Sequence, residues 1–259
     1  MKTTYLSLLI AVLGVGFSLG ASINGLDPAY SKGSTVYDGN NGDAMAITAN
    51  TVSTHKGNDV SSWTMAFTIS DLSATSGTDV GLLFTYNTVN AAYKNLEGMG
   101  YKLSDSGDLT LCTGGFAYNG GVAASSPWKT QTLSGYSAGQ SLTLFYAWNN
   151  SNGNVTISAM IGNDTSTLTT LASLAGSGVT FSGTSMSQIN FSAKDSSGNT
   201  WNVPNGVTGQ YTLDNFDLYT TALTEDQMKE YALSVVPEPA TASLGLLGLG
   251  LLLVRRRRA

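Results

Sequence analysis

The chain has 259 residues, 42% of them hydrophobic and only 11% charged, with a formal net charge of −5, a pI near 4.7 and a mean hydropathy of +0.03. A charged fraction less than half of the roughly 25% usual for soluble domains, with no basic stripe, excludes nucleic-acid binding. The 9% aromatic content excludes charge-driven disorder, and the single cysteine, Cys112, excludes an intrachain disulfide and a Cys-rich metal site.

In chain order, residues 1–21 come first as a signal peptide. Lys2 supplies the cationic start, Leu6–Phe17 the short apolar core, and Ser18, Gly20 and Ala21 the small residues of a cleavage site after Gly20 or Ala21. The alternative, an N-terminal membrane anchor, needs about 20 apolar residues, more than this run supplies.

The body, residues 22–234, alternates with period two between clusters of Gly, Asn, Ser and Asp. Trp63, Met65, Phe67 and Ile69 share one face of a strand over Trp63–Ser70. Leu142–Trp148 and Val155–Ile161 form a hairpin around Asn149–Asn154, and Tyr101–Ser104 and Leu109–Cys112 form another around Asp105–Asp108. Further strands are expected near 34–38, 44–50, 79–86, 188–193 and 210–220. About a dozen short strands with regular turns predict an all-β fold, an antiparallel β-sandwich or jelly roll.

One short helix closes the body. Thr224 caps it, Gln227 completes a capping box, Glu225 and Asp226 favour its positive end, and Met228, Tyr231 and Ala232 form its apolar side.

The C-terminal segment, 235–259, holds Pro237, Glu238 and Pro239, an apolar run over 240–254, and Arg255, Arg256, Arg257 and Arg258. That run would span about 22 Å as a transmembrane helix, short of the ~30 Å hydrocarbon core. The arginines cover the deficit by snorkelling and act as a membrane stop on the cytoplasmic side. Pro-Glu-Pro, apolar run and arginine cluster, in that order, closely resemble the PEP-CTERM sorting signal of Gram-negative bacteria. The resemblance implies an exosortase-type membrane protease as partner, transient anchoring of the tail in the inner membrane, and delivery to the cell envelope, outer surface or extracellular matrix. A permanent single-span anchor is the alternative.

The body also carries a resemblance. The run Tyr211–Met228 is similar to the closing strand and helix of LamG-like jelly-roll domains, the Leu142–Ile161 hairpin to their central hairpin, and Ser62–Ser70 to their early strand. This implies the concanavalin A-like lectin/glucanase fold. Thr221 stands where that family often has arginine before Ala-Leu, so no contact is carried over from that position.

Without its ends the body has seven lysines, no arginine and 16 acidic residues, a net charge of −9. A surface without guanidinium forks is poorly suited to anionic ligands. Glycosidases of this fold need two carboxylates in distinct roles. Here the only glutamates are Glu97, Glu225 and Glu230, and Asp214 and Asp217, three apart on a strand, are expected on opposite faces. His55 lies in a polar loop with no nucleophile motif beside it, and no catalytic residue is assigned.

Asp38–Asp43 and Asn149–Asn154 offer oxygens that calcium accepts, but neither has the helix–loop–helix spacing, and Asx residues serve turns equally well. No metal ligands or other cofactors are assigned. Trp63 and Trp148 are expected in the core and Cys112 as a buried small hydrophobe at a strand end. Trp128 and Trp201 fall in loops and are the candidates for stacking on sugar rings. The resulting expectation is a non-catalytic surface protein that recognises a neutral glycan or matrix polysaccharide. The alternative is a structural or adhesive matrix protein.

Overall fold

The computed structural model describes residues 20–38, 43–47, 62–75, 80–86, 94–119, 122–125, 129–149, 154–174, 176–177, 188–191 and 209–235. The strands in chain order are β1 (Tyr30–Lys32), β2 (Thr35–Tyr37), β3 (Asp43–Ala46), β4 (Trp63–Ala74), β5 (Val80–Tyr86), β6 (Lys94–Leu103), β7 (Leu109–Asn119) and β8 (Val122–Ser125). There follow β9 (Lys129–Thr132), β10 (Leu142–Asn149), β11 (Asn154–Ile161), the 3-10 turn η1 (Thr165–Thr167), β12 (Thr169–Thr170), β13 (Gly176–Ser177), β14 (Gln188–Phe191), β15 (Gly209–Tyr219) and the helix α1 (Glu225–Val235).

Two antiparallel sheets form a β-sandwich. Among the described residues the first sheet has eight strands in the order β1-β15-β4-β10-β11-β12, with β2 on β15 and β13 on β11. The second has seven, in the order β3-β14-β5-β6-β7-β8, with β9 on β7.

The period-two pattern explains the inner face. Antiparallel pairing sets Trp148 opposite Trp63, Tyr146 opposite Met65 and Leu144 opposite Phe67, so the alternating apolar residues of β4 and β10 reinforce one another. All six are buried in the main core, and the rings of Trp63 and Tyr146 stack with centroids 5.7 Å apart. Each such burial stabilises the sandwich by about 1.5–3 kcal/mol. The expected core positions of Trp63 and Trp148 are thus found. Cys112 is buried as well, but it lies inside β7 rather than at a strand end, because that strand continues to Asn119.

The opposite face of β4 and β10 is covered too. Ala66, Phe145 and Tyr219 form a second cluster with Met228 and Tyr231 of α1 and with Ile23 from the N-terminal segment. α1 is seated as its sequence predicts. Thr224 N donates to Gln227 Oε1 at 2.9 Å, Gln227 N donates to Thr224 Oγ1 at 3.3 Å, and Met228, Tyr231 and Ala232 are buried.

Both predicted hairpins are present. β10 and β11 pair from Leu142↔Ile161 to Asn149↔Asn154. β6 and β7 pair from Leu103↔Leu109 and run well beyond the expected segments, to Lys94↔Tyr118. Their connection closes with Ser104 N donating to Asp108 O at 3.0 Å, and Gly107 supplies a φ of 85° that a side chain would resist.

One expectation fails for a definable reason. In β15 the pairing with β4 slips between Leu213 and Asn215, a β-bulge. Tyr211 and Leu213 face the main core before it, and Phe216 and Leu218 face the same core after it. The extra residue resets the alternation, so Asp214 and Asp217 both lie on the outer face instead of opposite faces. No helix among the described residues is long and apolar enough to cross a membrane. The apolar run 240–254 and most of the leader lie outside them.

Candidate functional site

A cleft of about 440 Å³ opens where the chain passes from the second sheet to the first. One wall is the end of β9 and the loop after it, contributing Gln131, Thr132, Ser134, Gly135 and Gln140. The other comes from Ile161, Asp164, Thr167 and Thr169, around η1. β9 belongs to the second sheet and β12 to the first, so the cleft spans the flank of the sandwich.

Local sequence builds each wall. Gly135 and Gly139 take φ of 83° and 87°, allowing the 133–140 loop to double back, and Gln140 Oε1 accepts from Ser137 N at 2.6 Å. Asp164 caps η1: its Oδ1 accepts from Ser166 N at 3.0 Å and from Ser166 Oγ at 2.6 Å. These bonds hold its exposed carboxyl below the usual carboxylate range. Thr167 Oγ1 accepts from Ile161 N at 2.9 Å and donates to Asp164 O at 2.7 Å, tying η1 to β11. Ser173 N donates to Gln131 Oε1 at 3.0 Å, tying the segment after β12 to the β9 wall.

Chemically the cleft presents hydroxyls and amides over the apolar side chains of Leu133, Ile161 and Leu171. Among the described residues Asp164 is the one ionisable group in the lining, and no second carboxylate of theirs meets it there. Among the described residues no group of three or more His, Cys, Asp or Glu is arranged to hold a metal ion.

The remaining acids have structural surroundings. Asp214 accepts from Ser70 Oγ at 3.1 Å; burial raises its pKa, the Ser70 bond opposes this, and the Asp71 charge adds to it. Asp217 is 2% exposed and accepts from the Ser31 hydroxyl and from Ala21 N, the latter at 3.4 Å. Burial raises its pKa against these bonds. Lys32 pairs with Asp43, joining β1 of one sheet to β3 of the other.

Of the residues expected to bind sugar, Trp128 and Trp201 lie outside the described residues. So do His55, the loop interiors 39–42 and 150–153, Pro237, Glu238, Pro239 and Arg255–Arg258. The cleft residues carry no motif in the sequence. Their local signals are glycines that turn the chain, at 135, 139 and 162, which read as loops and not as a site.

No curated protein sequence matches the chain. Among solved structures it is similar to the CBM40 of the IT-sialidase of Ruminococcus gnavus, at 13% identity and a TM-score of 0.45, covering 80% of this chain and 99% of that one. The same domain is also solved bound to α2,3-sialyllactose, with a TM-score of 0.44. The binding domain of botulinum neurotoxin DC in complex with rat synaptotagmin II is similar at 13% identity and a TM-score of 0.44, covering 81% of this chain and 44% of that one. The chain therefore spans less than half the length of that toxin domain. Residues 235–258 match the PEP-CTERM protein-sorting motif, which marks a bacterial protein exported and sorted to the surface.

Proposed function

We propose that this protein is an exosortase substrate whose body is a non-catalytic, LamG-like sandwich of the concanavalin A-like type that recognises a neutral glycan. In this reading residues 1–21 hold a signal peptide cleaved after Gly20 or Ala21, and 22–234 make up the binding body. Residues 235–259 are the tail that an exosortase-type protease removes at Pro237-Glu238-Pro239, while 240–254 and Arg255–Arg258 hold it in the inner membrane. The sorting motif over 235–258 supports the exported destination.

The observation that carries the binding reading is the lining of the flank cleft. Hydroxyl and amide groups of Gln131, Thr132, Ser134, Gln140, Thr167 and Thr169 surround an apolar floor, with one carboxylate and no cation among the described residues. A sugar presents the complementary surface, hydroxyls on its rim and an apolar ring face. A sulfated or carboxylated ligand would find no guanidinium or ammonium among the described residues of this lining. Trp128 precedes β9 by one residue, three before Gln131 of the cleft wall, and is the stacking partner on this reading, with Trp201 as the second candidate. Calcium is not required by it.

Exported full-length protein applied to arrays of neutral oligosaccharides and to purified matrix polysaccharide tests the reading. Binding that disappears in Ser134→Trp and Thr169→Trp, which fill the cleft, and weakens in Trp128→Ala or Trp201→Ala is expected. Silence on every glycan, or binding untouched by the filled cleft, refutes it. In that event the low charge and hydroxyl-rich faces, such as the Thr110–Thr132 pair at 3.0 Å across β7 and β9, favour a structural or adhesive matrix role.

A further inference from the structure

The N-terminal segment is folded back onto the outer face of the first sheet by a tight turn. Ile23 N donates to Leu26 O at 3.1 Å and Leu26 N to Ile23 O at 2.7 Å. Asn24 and Gly25 occupy the turn with φ of 48° and 76°, the double left-handed geometry that Asn-Gly favours. Glu230 of α1 accepts from Asn24 N at 3.1 Å, and Ile23 is buried among Phe145, Tyr219 and Tyr231. The turn therefore sets the position of Ala21, whose carbonyl accepts from the Tyr219 hydroxyl and whose nitrogen lies 3.4 Å from Asp217 Oδ2.

Asp217 needs a cation that the described chain does not give it. It is buried, and the groups that stabilise its carboxylate are all neutral: Ser31, the Ala21 amide, Tyr231 and Asn215. The charges that act with Asp217 on the neighbouring Tyr219 hydroxyl, those of Asp27 and Glu230, are also negative. An isolated buried carboxylate is costly, and a paired one far less so.

The leader reading of residues 1–21 supplies the missing charge. Cleavage after Gly20 leaves small residues at both positions that a signal peptidase inspects, Ser18 and Gly20, whereas cleavage after Ala21 would put Leu19 at the first of them. The geometry points to cleavage between Gly20 and Ala21, with the new α-ammonium group of Ala21 forming a buried ion pair with Asp217. Hydrolysis of that peptide bond leaves the Gly20 carboxylate on the leader and the amine, protonated, on the body. Processing thereby changes a weak amide donor into a cation with three donors at a carboxylate already in place. The site is built tightly around this junction: a Cβ on residue 20 would collide with Ser31 Oγ, Pro28 Cγ and Asp217 Oδ1.

The full chain, exported through its own leader from a bacterial host, tests this directly. Mass spectrometry and N-terminal sequencing of the exported body are expected to begin at Ala21; any other first residue overturns the proposal. Gly20→Ala discriminates further. If residue 20 leaves with the leader, the exported variant has the wild-type mass and melting temperature. A heavier, less stable body means that residue 20 is retained, which also overturns it.

The ion pair is read by 13C-dimethylation of the α-amine and NMR titration. An exposed α-amine titrates at about 7.7–8.0, and pairing with Asp217, with Asp27 and Glu230 nearby, is expected to raise it above about 9. Asp217→Asn should return most of that rise. Should that variant not fold, the wild-type titration decides alone, and an Ala21 amine in the ordinary range refutes the pair.

Discussion

The hydroxyl of Tyr211 donates to the carbonyl of Leu82 at 2.7 Å. Tyr211 belongs to β15 of the first sheet and Leu82 to β5 of the second, so this buried bond crosses the sandwich. Tyr101 of β6 makes the reverse crossing, its hydroxyl 2.8 Å from both Ser73 O and Gln210 O. Tyr211→Phe removes the donor and leaves the Leu82 carbonyl short of a partner, at a cost of about 1–2 kcal/mol. Calorimetry should show a melting temperature lower by several degrees, at about 2–4 °C per kcal/mol for a domain of this size. An unchanged melting temperature would remove the bond from any account of sheet-to-sheet alignment.

The cap of α1 is expected to be worth about 1 kcal/mol. Thr224→Ala removes the hydroxyl that accepts from Gln227 N and leaves the bond from its own backbone N to Gln227 Oε1 in place, whereas Thr224→Ser keeps both halves of the capping box. Chemical denaturation of the two variants should therefore separate them, the alanine variant unfolding at lower denaturant and the serine variant close to wild type. Equal midpoints would show that the packing of Met228 and Tyr231 alone seats the helix.

Gly100 tolerates no side chain. A Cβ there would stand 2.5 Å from Val80 O, a backbone atom on the neighbouring strand that has no rotamer to escape into. The β5–β6 pairing is already irregular between Gly81 and Leu83 beside it. Gly100→Ala is expected to cost about 1–3 kcal/mol. A variant as stable as wild type in urea would mean that the irregular pairing absorbs the shift.

Asp214 sets a pH dependence with a defined sign. Burial raises its carboxyl above the ordinary 3.8, Ser70 opposing and Asp71 adding. The folded protein thus holds this proton to higher pH than the unfolded chain does. The resulting stabilisation is complete below the ordinary value and is lost as pH rises through the folded one. Asp214→Asn preserves an acceptor for Ser70 and removes the charge. It should be more stable than wild type at neutral pH, with the gap narrowing as pH is lowered towards about 4. A gap that stays constant or widens on acidification would contradict the assignment.

Legibility followed the range of the interaction. Trp63 and Trp148, Thr224 with Gln227, and the Leu142–Ile161 hairpin are set by periods and spacings of a few residues, and all stand where the sequence predicts. Asn24-Gly25 is equally local, an Asn-Gly pair that supplies the two positive φ angles of its turn. The bulge at Asp214 has no composition of its own, since the slip arises from how β15 fits β4, and so the shared face of Asp214 and Asp217 could not be read in advance. The cleft is less legible still. Gln131 and Thr167 are neighbours only because a crossover brings the edges of two sheets to one flank, and no spacing encodes that.

β15 is the last of the described strands, yet it sits inside the first sheet, between β4 on one side and β1 and β2 on the other. A chain delivered N-terminus first, by a ribosome or an export channel, cannot complete that sheet until residues 209–219 have emerged. The strands that precede it must wait with open edges, and the wait ends only a short stretch before the sorting motif at 235–258. Assembly of the sandwich is thereby coupled to completeness. A product that stops before residue 209 lacks the strand that joins β4 to β1 and β2.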